Sequence, residues 1–327
     1  MGLLVDGIWH DQWYDTTANG GAFKREQSRL RHWITANGEP SPAAPTQEAF
    51  LAESGRYHLY VSLACPWAHR TLVFRQLKGL EQHITVSVVS PDMGELGWTF
   101  DRDAGSDGDD LYGFQHLHQI YTLNQTKYTG RVTVPVLWDK KTKRIVSNES
   151  AEIIRMFNSA FNHITGNEQD FYPSHLRPII HQINDTIYEA VNNGVYRAGF
   201  ATSQHAYETA YTELFAALDE TERRLTTQRY LAGNTLTEAD IRLWTTLIRF
   251  DTVYHGHFKC NRQRLEDFPN LSNYTRELYQ LNGVAKTVNF DQIKRHYYAS
   301  HRQINPTGIV PSGPDIDFNR SHNRTHG

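Results

Sequence analysis

The stretch that most constrains this chain is residues 57–79, where a strand pattern runs straight into a cysteine, a proline and a helix. Tyr57, Leu59, Val61 and Leu63 alternate with His58, Tyr60 and Ser62, the two-residue period of a strand. Cys65 follows, and Pro66 suits a first helical position because its missing N–H would have no helical partner there. Leu72, Phe74 and Leu77 continue at helix spacing, and Gly79 is placed to stop the helix. A second β-branched run over 84–89 completes β-α-β. A thiolate at the head of such a helix meets free backbone N–H groups and the positive end of the helix dipole. Both stabilise the anion, so Cys65 is the candidate nucleophile.

Ala68 occupies the position where a Cys-x-x-Cys motif would carry its second thiol. The site is therefore monothiol, and a mixed disulfide formed at Cys65 must be resolved by an external thiol. His69, one turn on, is read as a packing or hydrogen-bonding residue. Arg70 either adds positive potential near the sulfur or faces solvent. Only Cys260 remains as a second cysteine, too few for a disulfide framework, which points to a reducing cytoplasm. Cys260 is read as a bystander.

Downstream, residues 91–130 interrupt the pattern with a long, irregular, partly acidic insert. Its Asp101, Asp103, Asp107, Asp109 and Asp110 suggest a calcium loop, but Gly105 stands at the fifth position and Ser106 at the sixth, which breaks the register. No metal is expected. A strand resumes over 131–138, and Pro135 inside it is unexpected because proline cannot donate to a ladder. After a strand–Cys-Pro–helix unit, Val134-Pro135 reads as a cis peptide beside the thiol, where backbone pairs with an extended peptide ligand. Lys140–Lys143 makes a turn, 145–147 a return strand, and Asn148-Glu149-Ser150 opens a helix. Ser150 and that helix N-terminus can hold a carboxylate while Glu149 pairs an ammonium, the two groups at the γ-glutamyl end of glutathione.

From about residue 174 the pattern is helical. Tyr207, Tyr211, Leu214, Leu218 and Leu225 share one face, and Thr237-Glu238-Ala239-Asp240 is a Thr-x-x-Asp capping box. Further helices are expected over 270–282 and 284–299, and an extended or disordered tail after Pro306. With 327 residues there is room for two cooperating domains. The expected division is a lead over 1–55 with a Pro/Ala-rich connector at 40–45, an α/β domain over 56–165, an all-helical domain over 170–305 and the tail over 306–327. Lys and Arg number 33 against 36 Asp and Glu, a net charge of −3, so there is no electrostatic footprint for nucleic acid. No apolar run approaches the roughly 18 residues of a membrane span, and the first residues lack the basic region and apolar core of a signal peptide.

In this order, Cys-Pro-Trp-Ala-His-Arg, a Val-Pro strand, Glu-Ser at a helix start and a Thr-x-x-Asp box, the chain resembles glutathione transferases with a catalytic cysteine. More narrowly it resembles the glutathionyl-hydroquinone reductases, the Xi class. The likeness extends to Gly97-Trp98-Thr99-Phe100, to Asn193 through Phe200, to Phe250 through Tyr254 and to Lys294 through Tyr298. It implies a thioredoxin-like N-terminal domain, an all-α C-terminal domain and a homodimer. It implies glutathione contacts at Trp98, Arg131, Val134, Glu149 and Ser150. Tyr196 is implied as proton donor to a quinol ring, with Tyr254 and Tyr297 hydrogen-bonding near the sulfur; sequence alone does not separate Tyr297 from Tyr298. The implied activity is glutathione-dependent reduction of glutathionyl-hydroquinones, with glutathione as co-substrate. The alternatives are an omega-like thiol transferase or dehydroascorbate reductase, and a non-enzymatic glutathione-binding module.

Overall fold

The structure is a computed structural model that describes residues 2–46 and 48–324. The chain divides into two compact units. One comprises Met1–Trp13, Glu26–Asp170 and Thr287–His296; the other comprises Tyr14–Arg25, Phe171–Lys286 and Tyr297–Gly327. Residues 1–55 are thus distributed between the units, and residues 287–296 are grouped with the first.

The strands are β1 (Leu3–Val5), β2 (Ile8–His10), β3 (Trp33–Thr35), β4 (Ala49–Leu51), β5 (Tyr57–Val61), β6 (Ile84–Val88), β7 (Gly130–Arg131), β8 (Val136–Asp139) and β9 (Arg144–Ser147). Helices α1 (Pro66–Leu77), α2 (His118–Asn124), α3 (Ser150–Ser159) and α4 (Asn162–Thr165) belong to the first unit. Its main sheet has the order β6-β5-β8-β9, with β5 parallel to β6 and antiparallel to β8, and β9 antiparallel to β8. All five residues of β5 are buried, so its sequence alternation records chemistry rather than a wet face. α1 and α3 pack against each other. This is the expected thioredoxin-like arrangement of a mixed sheet and helices.

The expected strand over 131–138 is two strands. Pro135 has no N–H for a ladder, so β8 starts after it in the main sheet, while β7 pairs antiparallel with β1 in a separate sheet ordered β2-β1-β7. The insert over 91–130 is irregular apart from α2 and β7.

The second unit is helical: α5 (Arg177–Ile187), α6 (Gly194–Gly199), α7 (Gln204–Arg224), α8 (Glu238–Leu247) and α9 (Pro269–Tyr279). Single π-helical turns occur at Tyr188–Asn192 and Phe250–Tyr254. No helix among the described residues is long and apolar enough to cross a membrane. The helix expected over 284–299 is a 3-10 turn at Val284–Thr287 followed by α10 (Phe290–Ser300). The new start has a local cause: the Asn289 side-chain oxygen accepts the Gln292 N–H at 2.9 Å. The described part of the tail, residues 307–324, is extended and is tied down by hydrogen bonds. Gln280 Nε2 donates to the carbonyls of Phe318 and Arg320, both at 2.9 Å, and the buried Arg324 donates to Glu277 Oε2 at 3.0 Å.

The capping box forms as read. The buried Asp240 carboxylate accepts from the Thr237 N–H and hydroxyl at 2.8 and 2.9 Å, from the Leu231 N–H at 2.8 Å and from the Tyr274 hydroxyl at 2.8 Å. Removing it leaves several buried donors unsatisfied at once. Asp240→Ala is expected to lower unfolding stability by about 3 kcal/mol, against about 1 kcal/mol for Thr237→Ala, measured as urea midpoints at unchanged m. Equal effects would mean that the carboxylate does no more than cap one helix.

Candidate active site

Cys65 is the N-cap of α1 and has extended backbone angles, with Pro66 at the first helical position. Its own N–H is held by the Ser62 carbonyl at 3.2 Å, and its carbonyl already accepts the His69 N–H at 2.9 Å. The turn between β5 and α1 therefore fixes the thiol at the helix head. Cys65 is part-exposed, and its thiol donates to the Val134 carbonyl at 3.7 Å. The Val134-Pro135 peptide is cis. The pairing of thiol and cis-proline expected from the sequence is present. His69 is buried, with Nε2 2.7 Å from the Thr287 hydroxyl, in keeping with a structural role.

Arg70 does not face solvent. It is buried, its guanidinium lies 4.5 Å from the Trp67 ring, and it donates to the Ser150 hydroxyl at 3.4 Å. Ser150 is the first residue of α3, and the N-cap is Glu149, whose side chain accepts the Ala151 N–H at 3.0 Å. Glu149 thus spends one carboxylate oxygen on its own helix. One turn further, Glu152 is paired with Arg31, which donates from both Nε (2.9 Å) and a terminal nitrogen. Burial, outweighing the Arg31 bonds, holds the Glu152 carboxyl above its ordinary range. No sequence pattern links Arg31 to Glu152; the bridge between Arg31 and Ser147 that lays residues 28–32 beside β9 does so. The Asn148 amide, part of an Asn-x-Ser sequon, is buried and donates to the Tyr121 hydroxyl at 3.2 Å, which leaves no room for a glycan.

Arg131 binds the lead segment: Nε donates to Glu26 at 3.1 Å, and the terminal nitrogens donate to the carbonyls of Gln12 and Trp13. Trp98 is buried and stacked on the His296 ring at 4.9 Å, and its indole N–H finds no acceptor among the described residues.

In the second unit the three expected tyrosines meet. The hydroxyl oxygens of Tyr196 and Tyr297 lie 2.6 Å apart, and those of Tyr297 and Tyr254 3.1 Å apart. Tyr298 is separated from this group: its hydroxyl donates to the Thr252 carbonyl at 3.5 Å and its ring packs on His257. Burial pushes both Tyr254 and Tyr297 well above the ordinary phenol range, so both keep their protons. The Phe258 ring packs beneath the group, in T-shaped contact with Tyr196 and stacked on Tyr254. Gly199 makes this possible, because a Cβ there would lie 2.2 Å from the Phe258 ring. Arg25, which the sequence did not single out, lies with its guanidinium 4.8 Å from the Tyr196 ring centroid. Tyr196 is about 170 residues further along the chain, so no local pattern could have found the contact.

Cys260 is fully buried against the Phe258 carbonyl, and burial raises its thiol far above the ordinary cysteine range. Among the described residues, no group of three or more His, Cys, Asp or Glu is arranged to hold a metal.

Residues 64–160 match the glutathione S-transferase N-terminal domain, and residues 204–277 match the C-terminal domain. The chain is 57% identical over 325 residues to the glutathionyl-hydroquinone reductase YqjG of Escherichia coli, covering 99% of this chain and 98% of that one. It is 52% identical to the glutathionyl-hydroquinone reductase PcpF of Sphingobium chlorophenolicum, over 96% of both chains. The glutathione-bound structure of the Escherichia coli protein superposes with a TM-score of 0.90 over 98% of both chains at 54% identity. The Xi glutathione transferase of Phanerochaete chrysosporium gives 0.84 at 51% identity over 89% of this chain and 97% of that one. The chain belongs to the glutathione transferase family, within its Xi class of glutathionyl-hydroquinone reductases.

Proposed function

We propose that this protein reduces glutathionyl-hydroquinones to hydroquinones at the expense of glutathione, with Cys65 as nucleophile. The observation that carries the reading is the part-exposed Cys65 thiol at the head of α1, set against the Val134 carbonyl at a cis-proline. The full-length similarity to two glutathionyl-hydroquinone reductases supports the substrate class.

Glutathione lies along the Val134 backbone as an added strand. Its γ-glutamyl carboxylate goes to Ser150 and the head of α3, where Arg70 adds positive charge, and its ammonium goes to Glu149. Arg131 and the indole N–H of Trp98 complete the contacts; the Trp98 donor has no protein acceptor among the described residues. In the first step the Cys65 thiolate attacks the glutathionyl sulfur. A sulfur–sulfur bond forms, the bond from sulfur to the aromatic carbon breaks, and that carbon takes its electron pair and a proton from the Tyr196 hydroxyl. Tyr297 and Tyr254, which keep their protons, donate in series toward the phenolate left on Tyr196. In the second step a further glutathione thiolate attacks the mixed disulfide, releasing oxidised glutathione and the Cys65 thiolate. The protein works as a cytoplasmic homodimer, where its two cysteines stay reduced.

A fission yeast relative, 47% identical over 92% of this chain, is named glutathione S-transferase omega-like 2, which favours an omega-like thiol transferase as the second reading. That chemistry shares the mixed disulfide but needs no proton at carbon.

Three measurements test the proposal. Cys65→Ala is expected to lower turnover of a glutathionyl-hydroquinone by at least about 10³-fold; retained turnover would sink the nucleophile assignment. Mass spectrometry of the native protein treated with oxidised glutathione is expected to find one adduct, on Cys65, with Cys260 modified only after unfolding. Tyr196→Phe is expected to slow hydroquinone release about 10²–10⁴-fold while sparing reduction of small mixed disulfides. Equal losses on both substrates would favour the omega-like reading.

A further inference from the structure

Arg25 lies in the second unit, on the short lead segment Tyr14–Arg25. The Asn193 side-chain oxygen accepts its Nε at 3.0 Å, and Asn193 is itself buried at the head of α6. Tyr196 follows Asn193 by three residues, so the two share one face of the helix. Held in this way, the Arg25 guanidinium lies 4.8 Å from the centroid of the Tyr196 ring and 5.5 Å from that of Phe23. Phe23 is anchored in turn on Tyr14 and Phe200. The Thr16 and Thr202 hydroxyls, 3.0 Å apart, and the Ser203 hydroxyl donating to the Gly20 carbonyl at 2.8 Å, fasten the same segment to the start of α7.

A cation over the face of a phenol ring is attracted by the ring's electron density, and far more strongly once the ring becomes a phenolate. We infer that Arg25 is a positioning residue for the proton transfer, its guanidinium held by Asn193 over the Tyr196 ring so as to favour the phenolate formed when Tyr196 gives up its proton. The inference rests on the proposed role of Tyr196 as acid. It gives Tyr196 a guanidinium over the face of its own ring. Tyr297 and Tyr254 are in the hydrogen-bonded series, and the buried Arg249 bears on both electrostatically. His301 meets Tyr297 edge-on at 5.3 Å. On α6 itself, Arg197 is paired with Glu213 of α7 at 2.6 Å.

The consequence is a signature that loss of packing does not imitate. Without the cation Tyr196 is a weaker acid that holds its proton to higher pH. Turnover on the pH plateau falls, and the alkaline limb, where Tyr196 loses the proton it must donate, moves upward.

The test is the pH profile of kcat for hydroquinone release in Arg25→Met and Arg25→Lys, with thermal unfolding run on each variant. The expected result for Arg25→Met is a plateau about 3–10-fold lower and an alkaline limb displaced upward by about half to one pH unit. Arg25→Lys, which keeps the charge but not the fork held by Asn193, is expected to fall between Arg25→Met and the parent. The absorbance titration of tyrosinate, taken as the difference between each protein and its Tyr196→Phe counterpart, is expected to move in the same direction. A lower plateau with an unmoved limb and titration would assign Arg25 a purely structural role and overturn the inference, as would an unchanged profile. If Tyr196→Phe itself left hydroquinone release intact, the acid assignment would fail first and this inference with it, an outcome distinct from the other two.

Discussion

Proline 135 has no N–H to give to a sheet, and the arrangement of the first unit follows from that lack. It cuts the run from 130 to 139 into two strands with different partners. β8 enters the main sheet between β5 and β9, while β7 turns away to pair with β1. The carbonyl of Val134, at the break, is where the Cys65 thiol rests. An uninterrupted strand would have spent that carbonyl on a ladder. The same break therefore frees the backbone group that faces the sulfur and offers the N-terminal segment an edge to bind.

That segment contributes to both units. In the first, residues 28–32 run beside β9, Arg31 neutralises the buried Glu152 in the opening turn of α3, and the carbonyls of 12 and 13 occupy Arg131. In the second, residues 14–25 supply Phe23 to an aromatic cluster and Arg25 to the face of Tyr196. A length of chain that reads as a mixed, weakly patterned lead thus borders the α3 helix start in one unit and the tyrosines in the other. The weak pattern has a physical reason: its strands are three residues long, too short to show a periodicity of their own.

What the sequence made legible was local. The strand–Cys65-Pro66–helix unit, the Thr237–Asp240 box and the helix opening at 149–150 each carry their cause within a few residues, and each formed. Pro135 was legible as an anomaly, a donor missing where a strand needs one. Interactions between residues far apart in the chain left no trace: Arg31 with Glu152 and Arg25 with Asn193 at separations of 121 and 168, and Arg324 with Glu277 at 47. Arg324 shows what the composition of a tail leaves out. The tail after Pro306 is poor in apolar residues, yet one buried guanidinium on Glu277 and the Phe318 ring on Tyr279 hold it in place. The expected helix 284–299 begins later for a smaller reason, since Asn289 offers a side-chain cap and α10 starts there.

The two cysteines show why residue type alone does not make a site. Cys260 is enclosed, and its thiol rests on the Phe258 carbonyl, which cannot stabilise an anion. Cys65 is part-exposed at a helix head, with donors beyond it in the first turn. The tyrosines divide in the same manner. Tyr254 and Tyr297 are sealed from solvent and hold their protons, and their hydroxyls link in series to that of Tyr196. Tyr196 is the member at the end of that series and the one beneath a guanidinium. In the proposed reaction the proton leaves from Tyr196, where the Tyr297 hydroxyl and the Arg25 guanidinium both meet the phenolate that remains.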